Sequence, residues 1–247
     1  MAIVMNHESR TVPAVPTAGS GDDRPPSGRL PWVSRMADPR MLEQDRLPLL
    51  NANRAYQKAG IARFHTPGHK GGQGLPEPLL ELLGPAASFD ICDEVEDPTL
   101  GHDWDAAVEE AEVLAARLYR VDRSFFLVNG TTSGIQSLLL AALRPGDEVI
   151  LPRDAHWSAV SGLIMTGAIP VYLPTPFDPQ LGVPGIPEPS AYEAALAAHP
   201  QAKALFMINP NYYGIAGRVA EVAALAHRHG IPLLVDEAHG PHLPFHS

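Results

Sequence analysis

A run of hydroxyl side chains near the middle of the sequence follows a short apolar stretch and opens a segment with helical spacing. It reads Asn129-Gly130-Thr131-Thr132-Ser133-Gly134. Because a helix N-terminus carries free N–H groups and the positive end of the helix dipole, it can bind a phosphate. Gly130 would let the backbone approach an anion closely, and Thr131 and Thr132 add hydroxyl donors. The alternative is an ordinary turn whose serine and threonine side chains cap the helix.

A second candidate follows the apolar run 233–235 and reads Asp236-Glu237-Ala238-His239. This order imitates the magnesium-binding segment of a helicase. A helicase also needs a phosphate-binding loop of the form G-x-x-x-x-G-K-[ST], and the sequence contains none. We therefore interpret Asp236 as a carboxylate at the floor of a cofactor site. The alternative is that Asp236 caps the next turn.

A third candidate is His156, which follows Asp154 and Ala155 where another helix is expected to begin. A positive charge is disfavoured near a helix N-terminus, so this position favours a neutral imidazole that can stack on a flat ligand. The alternative is that Asp154 caps the helix and His156 is solvated.

Histidines near the end of the sequence raise the question of a metal site. His239, His242 and His246 have side chains of a type that binds metals. Pro241 and Pro244 interrupt the segment, so the three histidines cannot share one helix face. We expect no metal site and interpret these residues as polar loop histidines.

The segment Phe64-His65-Thr66-Pro67-Gly68-His69-Lys70-Gly71-Gly72 is unusually rich in special residues for an ordinary connection. A catalytic role cannot be assigned from it alone. The alternative is a tight turn that needs glycine and carries solvated histidine and lysine side chains.

The elements that must position these residues alternate along the chain. Helical spacing predicts helices over 47–59, 78–83, 104–118 (behind a cap at Asp103), 131–143, 155–166 (behind Asp154), 191–198 (with a Ser190/Glu193 capping box) and 218–229. Short apolar runs predict strands at 124–128, 148–151, 170–173, 204–208 and 233–235, and a proline-rich loop spans 174–189. This alternation predicts an α/β fold with a mainly parallel sheet. Ligands bind such sheets at the carboxyl ends of the strands, where the candidate residues lie.

Composition narrows the class of protein. The 247 residues carry 18 Lys+Arg against 28 Asp+Glu, a formal charge of −10, which argues against a nucleic-acid partner. No run of 18 apolar residues predicts a membrane span, and the first residues do not resemble a secretory signal. A single cysteine, Cys92, fits a reducing cytoplasm. We expect a flexible proline-rich leader over 1–40, a helical and loop segment over 41–102, and the principal domain over 103–247.

Six motifs, taken in order, resemble one family. They are the segment 64–72, the acidic stretch Asp90–Pro98, the segment 129–134, Arg153-Asp154-Ala155-His156, Asn209-Pro210-Asn211-Tyr212-Tyr213-Gly214, and Val235-Asp236-Glu237-Ala238-His239-Gly240-Pro241-His242. Over residues 47–247 the chain resembles the major domain of the Orn/Lys/Arg decarboxylases, pyridoxal-phosphate (PLP) enzymes of the aspartate-aminotransferase-like fold (fold type I). The resemblance implies a three-layer α/β/α large domain, incomplete at the C-terminus.

The resemblance also implies roles for individual residues. Gly130, Thr131 and Thr132 would hold the cofactor phosphate, and His156 would stack on the pyridine ring. Asp236 would pair with the protonated pyridine nitrogen, which keeps the ring able to absorb electrons. His239 would lie beside the cofactor. The implied reaction is decarboxylation of ornithine, lysine or arginine to its amine, in a homodimer or higher oligomer.

Two substitutions and one absence depart from the family pattern. The family more often has lysine at Trp157 and threonine or serine at Asn211. Its Schiff-base lysine lies roughly thirty residues beyond the Asp-Glu-Ala-His-Gly segment, so we expect a truncated chain that is inactive by itself. The three lysines present are Lys58, Lys70 and Lys203. The alternatives are an inactive paralogue that acts as a binding or dimerisation module, and another fold-type-I enzyme such as an aminotransferase or an aldolase-type lyase.

Overall fold

The computed structural model describes residues 2–3, 43–92 and 104–245. These residues form two compact units, one of 43–92 with 104–123 and the other of 2–3 with 124–245. Most of the expected leader, the expected cap at Asp103, most of the acidic stretch and His246 lie outside the described residues. No helix among the described residues is both long enough and apolar enough to cross a membrane.

The first unit is helical. It contains α1 (Pro48–Lys58), α2 (Glu77–Leu83) and α3 (Trp104–Tyr119), with 3₁₀ turns at Glu43–Asp45 and Gly84–Phe89. The three predicted helices are therefore confirmed, each with its ends shifted by no more than one residue.

The glycine-rich segment 64–72 connects α1 to α2 and is held by contacts inside the first unit. The Tyr56 hydroxyl is hydrogen-bonded to His65 Nε2, and His69 Nδ1 accepts from the Gly72 N–H at 3.1 Å. On its other side His69 Nε2 lies 3.0 Å from a carboxylate oxygen of Asp90. These contacts give the loop a defined structure within its own unit.

The second unit is built on parallel strands. Its strands are β1 (Ala2–Ile3), β2 (Ser124–Phe125), β3 (Glu148–Pro152), β4 (Ile169–Leu173), β5 (Phe177–Asp178), β6 (Val183–Pro184), β7 (Ala204–Ile208) and β8 (Leu233–Asp236). Its helices are α4 (Gly130–Ala142), α5 (Trp157–Thr166), α6 (Pro189–Ala198) and α7 (Val219–Arg228), with a 3₁₀ turn at Leu243–Phe245. Within this unit the central sheet has the order β4-β3-β7-β8, and every neighbouring pair is parallel.

Two hydrophobic cores cover the two faces of this sheet. Side chains alternate along a strand, and accordingly Phe206 of β7 packs in one core while Leu205 and Met207 pack in the other. The first core is completed by α4 and α5, through residues such as Leu139. The second is completed by α6 and α7, through residues such as Tyr192. The predicted three-layer α/β/α architecture is confirmed.

The apolar run at 124–128 differs from the prediction of a buried strand. Only Ser124–Phe125 is a strand, and it pairs antiparallel with Ala2–Ile3, outside the four-stranded sheet. Phe126 is 45% exposed and Val128 is fully exposed. A short apolar run does not by itself say which partner strand covers it, so its burial could not be inferred from composition.

Three local predictions about the helices and the proline-rich loop were also wrong. Helix α6 begins at Pro189, because proline favours the first helical position, and no side chain caps it; the predicted Ser190/Glu193 capping box is absent. Helix α5 begins at Trp157 and is capped by His156, so Asp154 is not its cap. The 174–189 loop contains a small hairpin, in which β5 pairs antiparallel with β6.

Candidate functional site

A cavity of about 300 Å³ lies where β7 and β8 end and where α4 and α5 begin. This edge of a parallel sheet is where the sequence predicts a ligand site. The side chains that surround the cavity come from four separate segments of the second unit: Thr131, Thr132, His156, Ser158, Ile208, Tyr212, Asp236, Ala238 and His239. Five of the six predicted site residues therefore meet at one cavity.

The N-terminus of α4 contributes Thr131 and Thr132 to the cavity. Asn129 occupies the cap position but makes no side-chain capping hydrogen bond. The Ser133 hydroxyl donates to the Gly130 carbonyl within the same helix at 2.8 Å, so it does not cap a free N–H group. The alternative interpretation of this segment, a side-chain-capped turn, is therefore not supported. The first N–H groups of the helix remain suited to an anion.

Gly130, the sixth predicted residue, begins α4 but is not among the side chains that line the cavity. Its φ of +67° lies in the left-handed region, which residues with a Cβ rarely adopt. No atom lies within 4 Å of the position that a Cβ would occupy. Glycine is needed here for the turn into the helix rather than for space.

His156 has two functions in the structure, because its ring both caps α5 and lines the cavity. Its Nδ1 atom accepts a hydrogen bond from the Ser158 N–H at 3.1 Å and lies 2.8 Å from the Ser158 hydroxyl. A nitrogen that accepts from a main-chain N–H carries no proton, so in this arrangement the imidazole is neutral and its proton is on Nε2. The sequence predicts a neutral ring at this position near a helix N-terminus. The capping hydrogen bond to Nδ1 gives the physical reason.

Asp236 ends β8 and is 5% exposed. One of its carboxylate oxygens accepts a hydrogen bond from the Ala238 N–H at 3.1 Å, which fixes the turn that leaves the strand. Asp236 therefore caps the turn after β8, which was the alternative to a role in a cofactor site. It also lines the cavity. The two interpretations are compatible, because a carboxylate has a second oxygen.

The neighbouring Glu237 is half-buried, and burial raises the pKa of its carboxyl above the ordinary 4.5. The Asn209 amide, 3.5 Å from its Oε1, acts in the opposite direction and lowers the pKa.

Gly240 closes this loop against the end of β7. A Cβ at Gly240 would lie 2.8 Å from the Asn209 carbonyl oxygen and 2.9 Å from Pro210 Cδ. The close approach of the two loops therefore requires glycine.

Tyr212 lines the cavity and was not singled out as a site residue from the sequence. Its ring centroid is 5.1 Å from that of His239 and 6.5 Å from that of His156. The pKa of its phenol is raised, first by burial and then by the negative charges of Asp236 and Asp154. Its position shortly after a parallel strand was the available signal, but the direction of its side chain depends on the turn at 211–215 that follows β7.

The three lysines lie away from the cavity or in the other unit. Lys203 precedes β7, and its N–H donates to the carbonyl of Glu148, the first residue of β3. It is thus at the amino ends of the strands, opposite the cavity. Lys58 ends α1, and Lys70 donates to the His65 carbonyl within the first unit. Among the cavity-lining residues, all within the described chain, there is no lysine.

No group of three or more histidine, cysteine, aspartate or glutamate side chains within the described residues is arranged to hold a metal ion. His239 is directed to the cavity wall beside Tyr212 instead. His246 lies outside the described residues.

The chain matches the family model described as Orn/Lys/Arg decarboxylase, major domain, over residues 47–247. It is 38% identical over 208 residues to an arginine decarboxylase from Halalkalibacterium halodurans, covering 84% of this chain and 42% of that protein. It is 34% identical over 155 residues to the inducible ornithine decarboxylase of Escherichia coli, covering 58% of this chain and 20% of that protein. The chain spans less than half the length of these relatives.

A solved structure shows the same fold. Lysine decarboxylase A from Pseudomonas aeruginosa superposes with a TM-score of 0.56 and 29% sequence identity, covering 73% of this chain and 26% of that one.

Proposed function

Because this chain belongs to the Orn/Lys/Arg decarboxylase family, we propose that its cavity binds pyridoxal 5′-phosphate. We further propose that the cavity is the cofactor site of a decarboxylase acting on a basic amino acid. The observation that carries the proposal is that the N-terminus of α4, the His156 imidazole and the buried Asp236 carboxylate meet at the same cavity. These three groups match the phosphate, the ring face and the ring nitrogen of that cofactor.

The phosphate is assigned to the N-terminus of α4. Thr131 and Thr132 line the cavity there, and their hydroxyls can donate to phosphate oxygens. The helix dipole and the first N–H groups of α4 favour the same negative charge. Gly130 supports this arrangement through its left-handed turn into the helix.

The ring is assigned to the space between His156 and Asp236. The neutral imidazole of His156 offers a flat face without a competing positive charge. Asp236 offers a buried carboxylate at the end of β8, which would hold a proton on the ring nitrogen by a charge-assisted hydrogen bond. The bound cofactor supplies an electron sink for the bond to the departing carboxylate. His239 lies beside this space, next to Tyr212, where it can contact the cofactor or the substrate.

A basic amino acid as substrate is supported by the names of the relatives, which include an arginine, an ornithine and a lysine decarboxylase. We propose a homodimer or higher oligomer, the arrangement that the family resemblance implies.

A second function is favoured by where the lysines lie. Lys203 is at the opposite end of the sheet from the cavity, and there is no lysine among the described residues that line the cavity. We propose that the 247 residues hold the cofactor without a covalent lysine link and are inactive by themselves. A chain that binds the cofactor reversibly could then act as a binding or dimerisation module.

Titration of the 247-residue protein with pyridoxal 5′-phosphate tests the first proposal. We expect saturable binding, followed by absorbance and by quenching of protein fluorescence, and weaker binding of pyridoxal, which lacks the phosphate. No saturable binding would contradict the cofactor site.

Borohydride treatment of the loaded protein, followed by peptide mass mapping, tests the second proposal. We expect no lysine-linked adduct. A stoichiometric adduct at Lys70 would overturn the reversible mode of binding.

A further inference from the structure

The segment after β7 forms a closed turn built around Asn211. The Asn211 N–H donates to the Ile215 carbonyl at 3.0 Å, and the Gly214 N–H donates to the Asn211 carbonyl at 3.0 Å. The side chain completes the closure, because Asn211 Oδ1 accepts from the N–H groups of Tyr213 at 3.0 Å and Ile215 at 3.1 Å. Four hydrogen bonds to one residue leave this turn little conformational freedom.

The same side chain ties the turn to another part of the sheet edge. Asn211 Nδ2 donates to the Pro184 carbonyl at 2.9 Å and lies 3.4 Å from the Gly185 carbonyl. Pro184 belongs to β6, so Asn211 joins the turn to the β5–β6 hairpin. Asn211 is 3% exposed. The threonine or serine found in the family pattern could accept the turn hydrogen bonds but has no amide to donate to Pro184 and Gly185.

Two adjacent tyrosines in this turn have different surroundings. Tyr212 is 58% exposed and Tyr213 is 56% exposed, so overall accessibility does not distinguish them. Only Tyr212 is among the residues that line the cavity. Its ring is tilted by 60° against that of His239 and by 51° against that of His156. The Tyr212 ring thus lies between the rings of His156 and His239, the two histidines predicted as site residues, along one wall of the cavity.

We infer that Tyr212 is a ligand-contacting residue whose ring also holds His156 and His239 in place, and that Asn211 is its positioning residue. The ligand-contacting role rests on the proposed function, with pyridoxal 5′-phosphate as the ligand. The ring contacts and the Asn211 anchor are independent of it. Tilted aromatic contacts at these centroid separations are favourable beyond the area they bury.

Nuclear magnetic resonance of the protein without added ligand tests the ring contacts. Tyr212→Ala removes one ring, and we expect the ring-proton resonances of His156 and His239 to shift. Tyr213→Ala is the matched control, because it removes an equally exposed ring from the same turn, and we expect it to leave both histidines unchanged. Unchanged histidine resonances in Tyr212→Ala would overturn the inferred wall, whether or not the protein binds the cofactor.

Cofactor titration tests the ligand contact. We expect Tyr212→Ala to raise the Kd for pyridoxal 5′-phosphate by about fivefold and Tyr212→Phe to leave it within about twofold, because the ring rather than the hydroxyl makes the contact. Tyr213→Ala should also leave the Kd within about twofold of the parent. Equal Kd values for Tyr212→Ala and Tyr213→Ala would remove Tyr212 from the site. Absence of binding by the parent protein would instead contradict the proposed function.

A double-mutant cycle tests the positioning role of Asn211. We expect Asn211→Ala to weaken binding in the parent and to have little further effect in Tyr212→Ala, since it acts through that ring. An equal loss in both backgrounds would show that Asn211 acts independently of Tyr212 and would overturn the assignment. Because Asn211 is buried and its loss could unfold the turn, Asn211→Ser provides the second variant. It keeps an acceptor oxygen, so its Kd should lie between those of the parent and Asn211→Ala.

Discussion

His156 Nδ1 accepts a hydrogen bond from the Ser158 N–H at 3.1 Å, so the ring that lines the cavity is also the N-terminal cap of α5. Capping and ligand contact use different parts of one imidazole. The cap uses Nδ1 in the plane of the ring, and stacking would use the ring face. The two functions can therefore be separated by substitution.

His156→Asn should keep the cap and lose the ring, because asparagine is a good cap residue. We expect the free energy of unfolding to stay within about 0.5 kcal/mol of the parent and the affinity for pyridoxal 5′-phosphate to fall by about fivefold. His156→Ala should lose both, with about 1 kcal/mol lower stability. Chemical denaturation and cofactor titration measure the two effects. Parent-like affinity in His156→Asn would exclude stacking.

Asp236→Asn should weaken cofactor binding by about tenfold or more, because it replaces a charge-assisted hydrogen bond by a neutral one. The asparagine oxygen can still accept from the Ala238 N–H, so the turn should persist. Asp122→Asn, at an exposed position outside the cavity, is the charge-matched control. Equal affinities of the two variants would argue against a role for Asp236 at the ring nitrogen.

Thr131→Val and Thr132→Val together should reduce the affinity for pyridoxal 5′-phosphate by roughly tenfold, because two hydroxyl donors to the phosphate are lost at nearly constant volume. The affinity for pyridoxal should change little, since that ligand has no phosphate for α4 to bind. Parallel titrations with the two ligands provide the measurement. An equal loss for both ligands would mean that the threonines act on the ring or on the fold.

Glu237→Gln should change how stability depends on pH. Burial raises the pKa of Glu237, so folding favours its protonated form. That contribution is present below the unfolded pKa and is lost as the pH rises through the higher folded pKa. Glutamine does not titrate, so the Tm of the variant minus that of the parent should grow as the pH rises above the ordinary carboxyl pKa of 4.5. A constant difference for Glu237→Gln would contradict the effect of burial.

Gly240→Ala should destabilise the protein by about 1–3 kcal/mol, because its methyl group would meet a main-chain oxygen and a proline ring at less than 3 Å. Gly68→Ala is the control, since nothing lies within 4 Å of its Cβ position. Thermal unfolding of both variants measures the difference. Equal stability would show that the loops at Gly240 can separate without penalty.

Sequence patterns within short segments were sufficient to predict much of the fold and of the candidate site. The alternation of strand and helix segments predicted the parallel sheet, because apolar runs and helical spacing are properties of short segments. Since the carboxyl ends of parallel strands share one edge, it also predicted that Thr131, Thr132, His156, Asp236 and His239 would meet, and all five line the cavity. The order of the six motifs predicted the Orn/Lys/Arg decarboxylase family, and the family model matches residues 47–247.

Only the tertiary structure decided features that depend on distant partners. The apolar run at 124–128 looks like a core strand, but no strand of the four-stranded sheet pairs with it. The direction of Tyr212 follows from the Asn211 turn and its bond to Pro184, 27 residues away along the chain. Residue type and spacing encode which segments form strands and helices, whereas the direction of a side chain in a turn is set by hydrogen bonds that close only when remote segments meet.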